Sequence, residues 1–226
     1  MAMQVVIIGL GQFGMGLIRA LSQMGVEMIA VDSDDKRVQL ASSWVSEALC
    51  LDATDEEAMA GLQPNKRDVC VCATGDQSKE VGIICTALLR QMGAKRIISR
   101  ANDDLHARIL RLVGADEIVN PEWDFGERYA PRILSENILG EMLLDSDIAI
   151  SEFEAPTIMH NKKLKELDIQ RKHSITLVAV REGATGKIQK PGPEDEIHPG
   201  DVLIAAAQRG AVQKMLQEID PSSSPS

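Results

Sequence analysis

Three glycines and an aspartate make the first chemical statement in this sequence. Gly9, Gly11 and Gly14 are spaced G-x-G-x-x-G in GLGQFG, directly after the apolar run VVII, and Asp32 follows in MIAVDSDD. The first glycine permits a tight turn, the second lets backbone approach a pyrophosphate, and the third lets a helix pack close to its strand. A helix opening at such a loop directs N–H groups and the positive end of its dipole at an anion. An acid about 20 residues further on hydrogen-bonds ribose hydroxyls and repels a 2′-phosphate. The pattern therefore predicts an adenosine nucleotide with an unmodified ribose. ATP, ADP, NAD and NADH all remain open, and NADP is disfavoured.

Other candidates stand where strands end. The third predicted strand runs into Leu51-Asp52-Ala53-Thr54, and the fourth into Ala73-Thr74-Gly75-Asp76. Ligands of open parallel sheets bind outside the carboxyl ends of the strands, so both ends should face one crevice. The candidate set is Gly9, Gly11, Gln12, Phe13 and Gly14 in the loop, then Asp32 and Ser33, then Asp52, Ala53 and Thr54, then Ala73, Thr74 and Gly75. Parts for catalysis are missing. No G-x-x-x-x-G-K lysine, nucleophile elbow or His-Asp pairing is visible. His106, in NDDLHARIL, reads as a residue on the solvated face of a helix, and His160, His173 and His198 fall in a small second unit. Nucleotide binding without chemistry is the reading, and an NAD-dependent oxidoreductase is the alternative.

The elements that must hold these residues alternate. Short β-rich runs at 4–8, 27–31, 48–51, 69–73, 96–99 and 117–119 are separated by amphipathic stretches near 13–24, 35–43, 55–62, 78–92 and 103–113. Gly25, Gly93 and Gly114 stand where helix-ending glycines belong. Six strands alternating with helices predict a parallel sheet covered on both faces. VVII, without polar alternation, fits a strand buried on both sides. Cys70 and Cys72 alternate in DVCVCATG and should share one strand face as buried, reduced thiols.

After Pro121 the grammar changes. A long helical stretch is expected over 126–146, with Ile133, Leu134, Ile138 and Leu139 along it and Pro131 kinking or dividing it. From Ile148, IAISEFEA alternates, LKELDI is a short helix, SITLVAVRE and DVLIAAA are strands, and GAVQKMLQEI is a helix. The polar tail 221–226 is expected to be disordered.

Composition narrows the function classes. The chain of 226 residues has a formal net charge of −10 and only six aromatic residues, two Trp, one Tyr and three Phe. An acidic surface repels phosphate backbones, and stacking platforms are scarce, so nucleic acid is excluded as a partner. No apolar run approaches the ~20 residues that span a membrane. The start, MAMQVVIIGLG, has no basic n-region, so no signal peptide is expected and the location is taken as cytoplasmic.

GLGQFG, AVDSDD, LDAT, ATGD, ISRANDD, GADEIVNPE and PGDVLIAA together resemble the RCK family, which regulates potassium conductance. The resemblance covers nearly all of residues 1–220 and is similar to KtrA and TrkA cytosolic subunits. It implies an α/β protein. A Rossmann-like doubly wound parallel sheet (RCK_N, 1–125) is followed by a crossover helix (126–146) and a small α+β RCK_C domain (147–220). It also implies a homodimer assembling into a homo-octameric ring beneath a membrane-embedded potassium transporter or channel, peripheral to the inner face of the membrane. Bound adenine nucleotide (ATP/ADP or NAD/NADH) would set the ring's shape. A regulator of another cation transporter or antiporter is a further alternative.

Position by position, the resemblance assigns the loop glycines to phosphate, Asp32 to ribose, Asp52 and Thr54 to the adenine side, and Thr74 and Gly75 to the fourth-strand loop. It assigns Arg100 to the phosphates. Glu122 is assigned to a divalent cation or a γ-phosphate between paired subunits. Arg171, His173 and Pro191 fall where a few relatives contact a cyclic dinucleotide. Gln12 departs from the arginine of KtrA-like loops. A neutral glutamine does not clamp a terminal phosphate as arginine does, so a dinucleotide gains weight.

Overall fold

The run VVII is apolar throughout because both faces of its strand are covered. In the computed structural model, which describes residues 2–75 and 79–219, β1 (Gln4–Ile8) lies centrally between β2 (Glu27–Asp32) and β4 (Val69–Cys72). Val6 and Ile8 enter one core cluster, while Val5 and Ile7 enter another. Strand β4 divides in the same way. Cys70 and Cys72 face the first cluster, Val69 and Val71 the second, so the two thiols share a face as expected. Burial pushes the Cys70 thiol up to about 11, which leaves it protonated and unreactive.

The remaining strands are β3 (Glu47–Cys50), β5 (Ile97–Arg100) and β6 (Glu117–Val119), and the sheet order is β3-β2-β1-β4-β5-β6. Every pairing in it is parallel. The order reverses between β1 and β4, which is where a doubly wound sheet opens a crevice. The helices between strands are α1 (Gln12–Ser22), α2 (Asp35–Ala41), α3 (Glu56–Gly61), α4 (Lys79–Gln91) and α5 (Asp104–Val113). Gly93 (φ +76°) ends α4, with Ala94 N–H donating to the Leu89 carbonyl and Gly93 N–H to Arg90.

The chain divides into two units, 1–121 and 122–226. Helix α6 (Pro121–Leu134) runs through Pro131 without being divided and ends three residues after it. The helix expected through 146 stops at Leu134. Residues Ile138–Leu143 form strand β7 instead, paired antiparallel with β8 (Ile148–Glu154). Two alternating runs on either side of the polar stretch DSD make a hairpin. Ile138 is buried in the second unit's core rather than along a helix.

That core lies on one face of a five-stranded sheet ordered β10-β9-β11-β8-β7. Here β9 is Thr176–Arg181, β10 Ile188–Gln189 and β11 Val202–Gln208. Phe153 of β8, fully buried, packs with Leu203, Met215 and Leu216. The short helices α7 (Leu164–Leu167) and α8 (Ile169–His173), and then α9 (Ala211–Ile219), complete this unit. The pattern of β8, buried at Ala149, Ser151 and Phe153, is the alternation that IAISEFE shows. Asp76 and the tail 221–226 lie outside the described residues.

Candidate nucleotide-binding crevice

The loop after β1 is shaped by backbone collisions. Gly9 adopts φ +95°, and a Cβ there would stand 2.9 Å from the Ala73 carbonyl carbon and the Thr74 nitrogen. The loops after β1 and β4 therefore touch, at the reversal of strand order. A Cβ on Gly14 would lie 2.0 Å from the Gly9 carbonyl oxygen, so α1 can begin this close to the loop only with glycine there. A Cβ on Gly11 would meet nothing within 4 Å. Two of the glycines are required by the protein's own packing, and the third leaves open space above the loop.

That space faces the start of α1. Its N-cap is Gly11, which has no side chain to offer, and its first turn carries no acid. The other helices of this unit with a described N-cap differ. Asp34 caps α2, Asp55 caps α3 and Asp103 caps α5, each accepting a backbone N–H, and each first turn carries an acid. The first-turn N–H groups of α1 have no such acceptor, and with the helix dipole they favour an anion. Gln12 is exposed and Phe13 half-buried in this turn.

Asp32 ties the loop to the second strand. Its Oδ2 accepts the Leu10 N–H at 2.6 Å, and its Oδ1 accepts the Asp34 N–H at 2.9 Å. The Arg37 guanidinium stands 3.6 Å from Oδ2. Ser33 follows, exposed, and its carbonyl faces the Cys50 thiol at 3.5 Å. The Leu51 N–H donates to the Asp32 carbonyl, so the ends of β2 and β3 stay together. Asp52 then accepts from the Thr54 N–H at 2.8 Å and the Thr54 hydroxyl at 2.7 Å. These bonds, the backbone one first, hold its carboxyl below the usual range. Ala53 is buried between them.

On the other side stand the ends of β4 and β5. Thr74 is nearly buried, and Arg100 Nη1 lies 3.6 Å from where a Gly75 Cβ would be. The structure thus brings Gly9, Ala73, Thr74, Gly75 and Arg100 together. His106 corrects an expectation. It is 4% exposed rather than solvated, because its ring turns inward at the start of α5. Its Nδ1 accepts the Asn102 N–H at 3.4 Å. A Cβ on Gly82 of α4 would lie 3.8 Å from His106 Nε2 and 2.8 Å from Thr74 Oγ1, so both side chains crowd the same glycine. Asn102 and His106 were missed from the sequence. The available signal was Asp103 three residues before His106, an N-cap spacing that turns the third helical residue back toward the loop.

In the second unit, Glu122 stands exposed in the first turn of α6. Among the described residues no cluster of three or more His, Cys, Asp or Glu is placed to hold a metal ion. A cavity of about 260 Å³ is lined by Pro191, Gln170 and Thr176. Arg171 and His173 do not line it. Arg171 pairs with Asp168 at 2.6 Å, and His173 Nδ1 lies 3.5 Å from Glu218. No helix among the described residues is long and apolar enough to cross a membrane.

Comparison with known proteins matches residues 5–121 to the TrkA-N domain and 148–220 to the TrkA-C domain. The chain is 34% identical over 204 residues to Ktr system potassium uptake protein C of Bacillus subtilis (strain 168), covering 90% of this chain and 91% of that one. It is 29% identical over 216 residues to Ktr system potassium uptake protein A of Vibrio alginolyticus, covering 96% and 97%. Among solved structures, the GsuK RCK domain superposes with a TM-score of 0.68 at 18% identity. All of this chain is covered, and the chain spans about half (49%) of that one. A GsuK channel bound to NAD gives 0.67 at 17% identity, covering 100% of this chain and 40% of that one. These likenesses carry the fold: a six-stranded parallel sheet followed by a small antiparallel one.

Proposed function

Since the chain belongs to the family built of a TrkA-N domain followed by a TrkA-C domain, we propose that it is a nucleotide-sensing regulatory subunit of a membrane potassium transport system. The observation that supports this reading is the crevice itself. An uncapped, acid-free helix start lies under open space at Gly11, with Asp32 beside it. Potassium comes from the Ktr relatives, one of which is about one third identical over nine tenths of both chains.

In this reading the ligand is an adenine nucleotide, ATP/ADP or NAD/NADH. The Gly9–Gly14 loop and the α1 N-terminus hold its phosphates, Asp32 and Ser33 its ribose, and Asp52, Ala53 and Thr54 its adenine side. Thr74, Gly75 and Arg100 close the far side, and Glu122 joins a divalent cation between paired subunits. Copies assemble as dimers into an octameric ring on the cytoplasmic side of a separate membrane subunit. The work is regulatory rather than catalytic. A nucleotide moves such a ring only by binding one shape better than the other, with a coupling of about 1–3 kcal/mol per site. A cyclic dinucleotide at the second unit is a weaker part of the reading, because Arg171 and His173 do not gather at the Pro191 cavity.

The test is thermal unfolding of the purified protein with ATP, ADP, NAD, NADH and NADP at matched concentrations. A ligand bound only by the folded state adds about 2.7 kcal/mol at a hundredfold excess over Kd. Stabilisation by ATP and ADP alone makes the protein a sensor of energy charge. Stabilisation by NAD or NADH makes it a redox sensor. If none of the five moves the melt, the reading is wrong.

A further inference from the structure

We propose that His106 is a positioning residue that makes nucleotide binding in the crevice proton-linked, with the neutral imidazole holding the end of β5 in its binding shape. This rests on the nucleotide reading above and adds regulation to it.

The geometry is that of an acceptor aimed at a backbone donor. The His106 main-chain N–H donates to the Asp103 carboxylate at 2.8 Å, which fixes the first turn of α5. The ring then folds back, and Nδ1 accepts the Asn102 N–H at 3.4 Å. Asn102 lies two residues beyond Arg100, the basic residue assigned to the ligand's phosphates. Accepting at Nδ1 places the ring's single proton on Nε2. That nitrogen is buried with no hydrogen-bond partner among the described residues, and it sits beside Gly82 as Thr74 Oγ1 does. The Asn102 side-chain amide is likewise shielded, with both polar atoms unpartnered among the described residues. The His106 ring therefore touches the end of β5 through Asn102 and approaches the end of β4 through Gly82 and Thr74, on the same side of the crevice.

Protonation changes the sign of the Nδ1 contact. At 3.4 Å the bond is long, and losing it costs little. Placing an N–H opposite an N–H, inside a site closed to water, costs more. The charged groups around the ring oppose one another. Asp103, from α5, favours the imidazolium, and the Lys79 ammonium, from α4, disfavours it and is itself paired with Asp103 at 2.5 Å. The Lys79 backbone carbonyl favours it weakly. From β4 the neighbour is the Thr74 hydroxyl, and β5 ends in Arg100, whose Nη1 lies 3.6 Å from where a Gly75 Cβ would be. Desolvation outweighs these and holds the imidazole below its ordinary range. The sign follows. A group kept neutral in the folded state destabilises that state as pH falls below the ordinary histidine value. If the nucleotide needs the neutral form, its affinity falls at lower pH than stability does, below the depressed pKa of the folded, ligand-free protein.

The experiment is calorimetric titration of the full chain with NAD and, separately, with ADP at pH 8.0 and pH 5.5, on wild type and His106→Asn. The Asn oxygen can take the place of Nδ1 as an acceptor that does not titrate, and the ratio between the proteins cancels titration of the ADP phosphate. Whatever the affinity of His106→Asn at pH 8.0, the ratio of its affinity to that of wild type should rise at pH 5.5, because only wild type loses affinity through the imidazole. An equal loss in both proteins, or no loss in wild type, overturns the proposal while leaving the nucleotide reading intact. Absence of any binding at pH 8.0 overturns both. Should the variant not fold, NMR titration of the four histidine Cε1 protons in wild type decides. Nucleotide must lower the pKa of His106 and not those of the three in the second unit; an unmoved His106 pKa rejects the linkage.

Discussion

Two aspartates, one in each unit, do the same local work in opposite surroundings. Asp32, 9% exposed, accepts the N–H groups of Leu10 and Asp34. Asp201, 4% exposed, accepts those of Gly183 and His198 at 3.0 and 2.8 Å. Asp32 ends a parallel strand beside a glycine loop and an uncapped helix start. Asp201 opens an antiparallel strand, after a turn in which Gly183 and Gly200 approach so closely that a Cβ on Gly183 would stand 2.5 Å from the Gly200 carbonyl carbon. The cavity of about 390 Å³ beside Asp201 is lined by Glu182, Asp195 and Glu196 as well, which repels anions. A parallel sheet gathers strand ends, helix dipoles and loops on one edge, whereas an antiparallel one spends its turns on closing hairpins. The difference lies in the connections, since the buried carboxylates are alike.

The comparison can be broken at three points. Gly14→Ala carries the largest expected effect. The added Cβ would stand 2.0 Å from the Gly9 oxygen, so the loop must move, costing more than about 3 kcal/mol in urea unfolding and abolishing nucleotide binding. Retained binding would show that the loop is not the phosphate site. Next come Asp32→Ala and Asp201→Ala. Each removes the acceptor of two backbone N–H groups, of which the Leu10 one is buried and the other three are part-buried, for a loss of about 1–3 kcal/mol. Only Asp32→Ala should also lower nucleotide affinity, by about tenfold, read as the melt shift with ADP or NAD. Equal affinity losses in the two variants would erase the distinction drawn here. The smallest stability effect belongs to Gly11→Ala. Its φ of −70° suits alanine and no atom lies within 4 Å of the new Cβ, so unfolding should shift by under about 1 kcal/mol. Affinity should still fall sharply, because that Cβ enters the space assigned to the phosphates.

The parts legible in the sequence were those governed by local physics. Both-face burial of VVII, the paired orientation of Cys70 and Cys72, and the six alternating strands follow from periodicity, and the structure has them. The helix expected through 146 failed at Ile138–Leu143. ILGEML satisfies either period, and the strand is chosen by pairing with β8, a partner that periodicity does not display. His106 failed for a related reason. On a helical wheel it is one polar residue among several, and its burial depends on α4 and β4 leaving room at Gly82.

The sequence by itself determined the order of elements, the glycine loop and the acid that follows it. Those depend on residue type and spacing along a few turns of chain. Tertiary structure alone decided that Gly9 abuts Ala73 and Thr74, that the space above Gly11 is left open, and that a histidine ring is enclosed at the end of β5. Gly9 and the end of β4 lie 64 to 65 residues apart in the chain and His106 and Gly82 lie 24 apart, contacts fixed by the sheet's strand order of which chain-local patterns carry no record.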